Sequence, residues 1–171
     1  MADGTGRVVP ARNPTAGTSE PSATFSGRYL PEMDLKTCRF ELVGSTGVIF
    51  LSRPERRNAW TGRMHTEYRW LLEQAEADPE VRVIVVTGDP DGGAFCVGAD
   101  ARALDGHAER GAYDPGTDDD IPTPGFGVDP AFDADFAYHF GLETPVVAAI
   151  NGAAAGVGLV LACFADLRFG V

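Results

Sequence analysis

Lysine is almost missing from this chain. Lys36 is the only one in 171 residues, and lysine plus arginine number 14 against 25 aspartates and glutamates. The resulting net charge of −11 excludes the basic surfaces that nucleic acid and anionic membranes need. Cysteine is scarce: Cys38, Cys96 and Cys163 are far apart and odd in number. That excludes a complete disulfide framework, and no zinc spacing is present, so reduced and mostly buried thiols are expected. Long apolar runs are absent too, falling far short of the roughly 20 residues that span a membrane. The opening stretch MADGTGRVVPARNPTAGTSEPSATFSG holds no apolar core of signal-peptide length, which gives a cytoplasmic protein as the expectation.

Glycine, by contrast, is plentiful, with 21 residues. Residues 1–36 are rich in Pro, Gly, Ser, Thr and Ala without periodicity and read as a flexible leader. Residues 37–171 read as a folded core. CRFELVG and GVIFLSR are β-type runs joined at Ser45-Thr46 as a hairpin. Pro54 and Asn58 break the second run. Thr61 can cap a helix on which Met64, Tyr68, Leu71, Leu72 and Ala75 recur at helical spacing, and Asp78-Pro79 ends it. VRVIVVTG has the near-continuous apolar character of a strand covered on both faces. A glycine loop, DPDGGAFCVGAD, and a short helix, ARALDGHAER, follow. Residues 111–130 are acidic and rich in Pro and Gly, as in a surface loop or lid. Residues 131–141 can form a helix with Phe132, Phe136 and Phe140 on one face. Strands alternating with helices give an α/β fold with parallel strands.

The most informative stretch is PVVAAINGAAAGVGLVLAC, residues 145–163. An apolar strand feeds a glycine turn and then a helix, and such a turn aims backbone N–H groups at an anion. A dinucleotide pyrophosphate and a thioester oxyanion would both suit it. The glycine spacing resembles that of NAD(P)-dependent short-chain dehydrogenases. Against that stand the late position of the motif, no room for the acidic ribose partner about 20 residues on, and no Tyr-x-x-x-Lys pair.

Four segments in order, LSRPERRNAW, VRVIVVTG, AFCVGADARAL and PVVAAINGAAAGVGL, resemble the enoyl-CoA hydratase/isomerase (crotonase) superfamily from about Cys38 to Val171. The resemblance implies a crotonase-like spiral of ββα units, truncated here at the C-terminus, and an acyl-CoA thioester as substrate with no further cofactor. It implies an oxyanion hole made by the amides of Ala99, after Gly98, and Val157, within Gly156-Val157-Gly158. Arg53 to Ala59 and Ala99 to Arg102, through Asp100 and Ala101, match segments that bind CoA, and Arg53, Arg56, Arg57 and Arg102 could reach its phosphates. A homotrimer or hexamer and a role in fatty acid metabolism are implied as well.

The chain departs from the two-glutamate pattern of the family's hydratases. Val160 stands where the first glutamate belongs, and valine cannot transfer a proton. The second glutamate falls beyond residue 171. No general base is named, and Asp100 is expected to cap the following helix. A non-catalytic or degenerate acyl-CoA-binding protein is therefore the rival reading. Of the remaining groups, Asp118, Asp119 and Asp120 read as a solvated acidic run, and DPDGGAFCVGAD lacks the glycine and glutamate of a calcium loop, so no metal is expected. His65 is expected at the helix surface, His107 and His139 flank the acidic loop, and Cys96 is expected to serve packing.

Overall fold

The structure is a computed structural model that describes residues 34–110 and 136–171. Strand β1 (Cys38–Val43) turns through Gly44 and Ser45 into β2 (Thr46–Leu51). The hairpin is as expected, with the turn one residue earlier because Gly44 supplies the positive φ of 62°. Helix α1 (Gly62–Ala77) follows, then β3 (Val83–Gly88), β4 (Ala94–Cys96) and α2 (Ala101–Arg110). After residue 136 come a 3-10 turn (Tyr138–Gly141), β5 (Val146–Ile150), β6 (Ala153–Ala154), α3 (Val157–Phe164) and β7 (Leu167–Gly170).

Five strands form one sheet in the order β1-β2-β3-β5-β7. Only β1 runs antiparallel; β2, β3, β5 and β7 are parallel neighbours, with Val48 opposite Val85, Val86 opposite Ala148 and Ala148 opposite Arg168. The two short strands β4 and β6 pair separately. One sheet face buries Ile49, Leu51, Ile84, Val86, Val146 and Ala148 with Met64, Tyr68 and Leu71 of α1 in a single core. The opposite face of β3 differs from expectation: Val83, Val85 and Thr87 are only half-buried among the described residues, so this strand alternates.

Helix α1 starts at Thr61, whose hydroxyl accepts from the Met64 amide at 3.2 Å. It sinks so deeply that every residue from Met64 to Leu72 is buried. His65 is therefore in the interior, and not on the surface as helical spacing suggests, because its ring lies among Trp60, Phe136 and Tyr138. Glu67 is completely buried as well. Its carboxylate accepts from the amides of Lys36, Thr37 and Cys38, at 2.7–2.8 Å, and from the Arg63 guanidinium. This clamp holds the entry to β1, with Leu35 packed in the core.

The described part of 131–141 is not the expected helix. Phe136 has a φ of 62°, which no helix accommodates, and the 3-10 turn takes over. Phe136 packs inward on Trp60, whereas Phe140 is exposed, so the two do not share a face. Phe132 and the acidic run 118–120 lie outside the described residues. Leu159, Leu167, Phe169 and Val171 expose apolar surface along α3 and the β7 edge. No described helix is long and apolar enough to cross a membrane.

Candidate active site

The two glycine loops meet. Gly98 lies just after β4 and has a φ of 99°; Gly156 precedes α3 with a φ of 50°. A Cβ at Gly156 would lie 3.4 Å from the Gly98 Cα, and one at Gly98 would lie 3.3 Å from the Ala155 carbonyl oxygen. The positive φ favours glycine at both positions, and at Gly98 the close Ala155 carbonyl adds to it. The Ala155 amide donates to the Cys96 carbonyl at 3.0 Å and fastens the loops to each other.

Ala99 sits in this junction. The Trp60 amide donates to the Gly98 carbonyl, and the Asp100 amide donates to the Trp60 carbonyl, both at 2.8 Å. Ala99 thus forms a parallel bridge with Trp60 while its own N–H is directed elsewhere. Val157 opens α3, and its amide is one of the donors that a helix start leaves without an intrahelical acceptor. Neither the Ala99 nor the Val157 amide donates to a protein acceptor among the described residues. Two backbone donors without a protein acceptor thus lie on adjoining loops.

The other residues singled out in the sequence are found in different states. Asp100 caps α2: one carboxylate oxygen accepts from the Arg102 amide at 3.0 Å. The other takes an ion pair from Arg53 Nη1, also at 3.0 Å. Burial raises the Asp100 pKa, but the Arg102 amide and the Arg53 guanidinium outweigh it and hold the carboxyl below its usual range. A carboxylate so engaged is a poor proton acceptor. Arg53 Nη1 also donates to the Ala59 carbonyl at 2.7 Å, so Arg53 is turned into the protein. Arg56, Arg57, Ala101 and Arg102 are exposed, Ala59 is buried, and Val160 is half-buried on the first turn of α3. Cys96 is fully buried beneath the loops, and burial pushes its thiol pKa up against the opposing amides of Gly98, Gly158 and Trp60. That is a packing cysteine. Cys38 is also buried; Cys163 is exposed, unlike the expectation for most thiols.

Asn58 is a contributor that escapes sequence reasoning. Asn58 is fully buried with a φ of 57°, and its amide group donates to the carbonyls of Asp89 and Ala94. Its αL tolerance was the available signal. His139 is buried with Nε2 2.5 Å from the Tyr68 hydroxyl. It therefore belongs to the core and does not face a substrate. No cluster of metal-ligating side chains occurs among the described residues.

Residues 43–170 match the family model described as enoyl-CoA hydratase/isomerase. The probable enoyl-CoA hydratase EchA14 of Mycobacterium tuberculosis is 39% identical over 128 residues, covering 71% of this chain and 41% of that protein. The 1,2-epoxyphenylacetyl-CoA isomerase of Escherichia coli is 33% identical over 119 residues, covering 68% of this chain and 40% of that one. A crystal structure of a probable enoyl-CoA hydratase/isomerase from Mycobacterium abscessus superposes with a TM-score of 0.58 at 33% identity, over 78% of this chain and 45% of its counterpart. The present chain thus spans under half the length of these relatives. The family match leaves the dinucleotide reading without support. The fold is crotonase-like, and the chain belongs to the enoyl-CoA hydratase/isomerase family.

Proposed function

We propose that this chain binds an acyl-CoA thioester and stabilises negative charge on the thioester oxygen with the backbone amides of Ala99 and Val157. The observation that carries this reading is the pair of vacant amides on loops that touch at Gly98 and Gly156. Deprotonation or addition beside a thioester moves charge onto its carbonyl oxygen. Donors already aimed there contribute about 3–4 kcal/mol each to that state. A backbone amide works irrespective of its side chain, so Val157 serves in place of glycine.

In this reading Gly98, Ala101, Gly156 and Val160 line the thioester end. The exposed guanidiniums of Arg56, Arg57 and Arg102 supply the positive charge for CoA phosphates. The substrate brings the CoA group, and no further cofactor is required. A family function in acyl-CoA hydration or isomerisation, a place in fatty acid metabolism and a cytoplasmic homotrimer or hexamer belong to the same proposal.

A second reading is favoured by one residue. Val160 stands at the first-glutamate position given by the family resemblance, and it has no proton to move. The chain would then bind the thioester without turnover.

The test is calorimetric titration of the 171-residue chain with acetoacetyl-CoA, with NADH as control, followed by an enoyl-CoA turnover assay. Saturable binding of acetoacetyl-CoA alone is the expected result. Binding with no turnover selects the second reading. Binding of neither ligand defeats the thioester reading.

A further inference from the structure

We propose that Arg53 and Asp100 are positioning residues that aim the Ala99 amide, and not contacts of the CoA phosphates; this rests on the thioester reading. The Ala99 peptide is framed from both sides. On the Gly98 side, the Gly98 carbonyl is held by the Trp60 amide; on the other, the Asp100 amide is held by the Trp60 carbonyl. The orientation of the Ala99 N–H therefore depends on where residues 59–60 sit relative to residue 100. Arg53 fixes that relation with one nitrogen, Nη1, which donates to the Ala59 carbonyl at 2.7 Å and to Asp100 Oδ2 at 3.0 Å.

The ends of the device are anchored. The second Asp100 oxygen is used by the Arg102 amide, so the carboxylate cannot swing away without releasing the start of α2. The Arg53 amide donates to Asn58 Oδ1 at 3.1 Å, and Asn58 Nδ2 donates to the Ala94 carbonyl at 2.8 Å. Ala94 begins the strand that leads to Gly98. One connected set of bonds thus runs from β4 through Asn58, Arg53 and Asp100, and encloses the loop that presents Ala99. Asp100 is only 8% exposed. Diverting Arg53 to a phosphate would leave that carboxylate without its cation in a buried place, which is costly. Arg56 is the other charge acting on Asp100.

Acetoacetyl-CoA tests this because its enolate has a near-ultraviolet band that the keto form lacks. At saturating ligand, the enolate fraction reports how well the hole stabilises the oxyanion, separately from affinity and fold stability. The chain and its D100N and R53K variants are compared, together with the affinity of each for free CoA. The expected outcome is a fall of about tenfold in the enolate-to-keto ratio in both variants, part of what one oxyanion donor contributes. Affinity for free CoA should stay within about twofold, and the double variant should lose no more than either single one, as two groups acting as a unit do. A normal enolate band with weakened CoA binding in R53K overturns the proposal and makes Arg53 a phosphate contact. A normal band in D100N that merely melts earlier also overturns it, leaving a purely structural pair. Should D100N fail to fold, R53K decides alone, because it keeps the positive charge. No enolate band in the unsubstituted chain overturns the thioester reading itself.

Discussion

At the residue scale, two glycines and one glutamate show how differently single positions reveal themselves. Gly98 was legible because a glycine before Ala99-Asp100 forms part of an ordered motif, and the structure supplies the reason: positive φ and a neighbouring carbonyl. G98V should push the Ala99 peptide away from Gly156. We expect acetoacetyl-CoA affinity to fall at least about tenfold, a part of the roughly hundredfold or more that losing one oxyanion donor costs. Calorimetry reads this directly, and unchanged affinity would sink the placement of the hole. Glu67 was invisible in the sequence. Its partners, Lys36 to Cys38, lie about 30 positions away, and nothing in helical spacing marks a charged residue as interior. E67A leaves three backbone donors and Arg63 without their acceptor. A loss of about 3–5 kcal/mol is expected from denaturant unfolding, as for one partner removed from a buried pair. A loss below about 1 kcal/mol would show that water replaces the carboxylate easily.

At the scale of elements, local signals succeeded where local chemistry governs. Thr61 capping, the α1 periodicity, the β1–β2 hairpin and the strand–turn–helix around Gly156 all depend on residues close in sequence, and all are present. T61A should cost about 1 kcal/mol, the usual worth of an N-cap, seen as a lower denaturation midpoint with an unchanged slope. An unaltered midpoint would mean that burial alone holds the first turn of α1. Local signals failed where tertiary packing decides. The phenylalanine spacing of 131–141 suggested a helix, but Phe136 is drawn inward against Trp60 and His65 with a left-handed backbone. The β4–β6 pair was also missed, since two- and three-residue strands carry no periodicity. Of the candidate site, the two glycine turns and the Asp100 cap were legible in the sequence. The bonds of Arg53 to Ala59 and Asp100 were not legible, because those acceptors meet it only in three dimensions.

At the scale of the whole molecule, two buried histidines tie the folded state to pH. Burial lowers the pKa of His65 to about 3, with the charge of Arg69 adding to the effect. Burial likewise lowers His139 to about 4, although Asp166 and the Phe164 carbonyl pull the other way. Both rings are neutral in the folded chain, whereas in the unfolded chain they take up a proton near pH 6.5. Above that pH neither ring contributes a pH dependence. Below it the unfolded state binds more protons, so stability falls as pH falls, until about 4 for His139 and about 3 for His65. Each histidine contributes at most about 1.4 kcal/mol per pH unit in that window. Both rings sit in the aromatic cluster behind the Trp60–Ala99 bridge, His65 against Trp60 and His139 against Tyr68, so acid unfolding should take the oxyanion loop with it. Urea unfolding at pH 7 and pH 5 should show a marked loss at the lower pH. The H139Q variant, which cannot titrate there, should lose less over the same interval, whatever its stability at pH 7. The same loss between pH 7 and pH 5 in the variant and the unsubstituted chain would mean that His139 is hydrated and charges freely in the folded chain, leaving His65 as the buried histidine that carries the pH dependence.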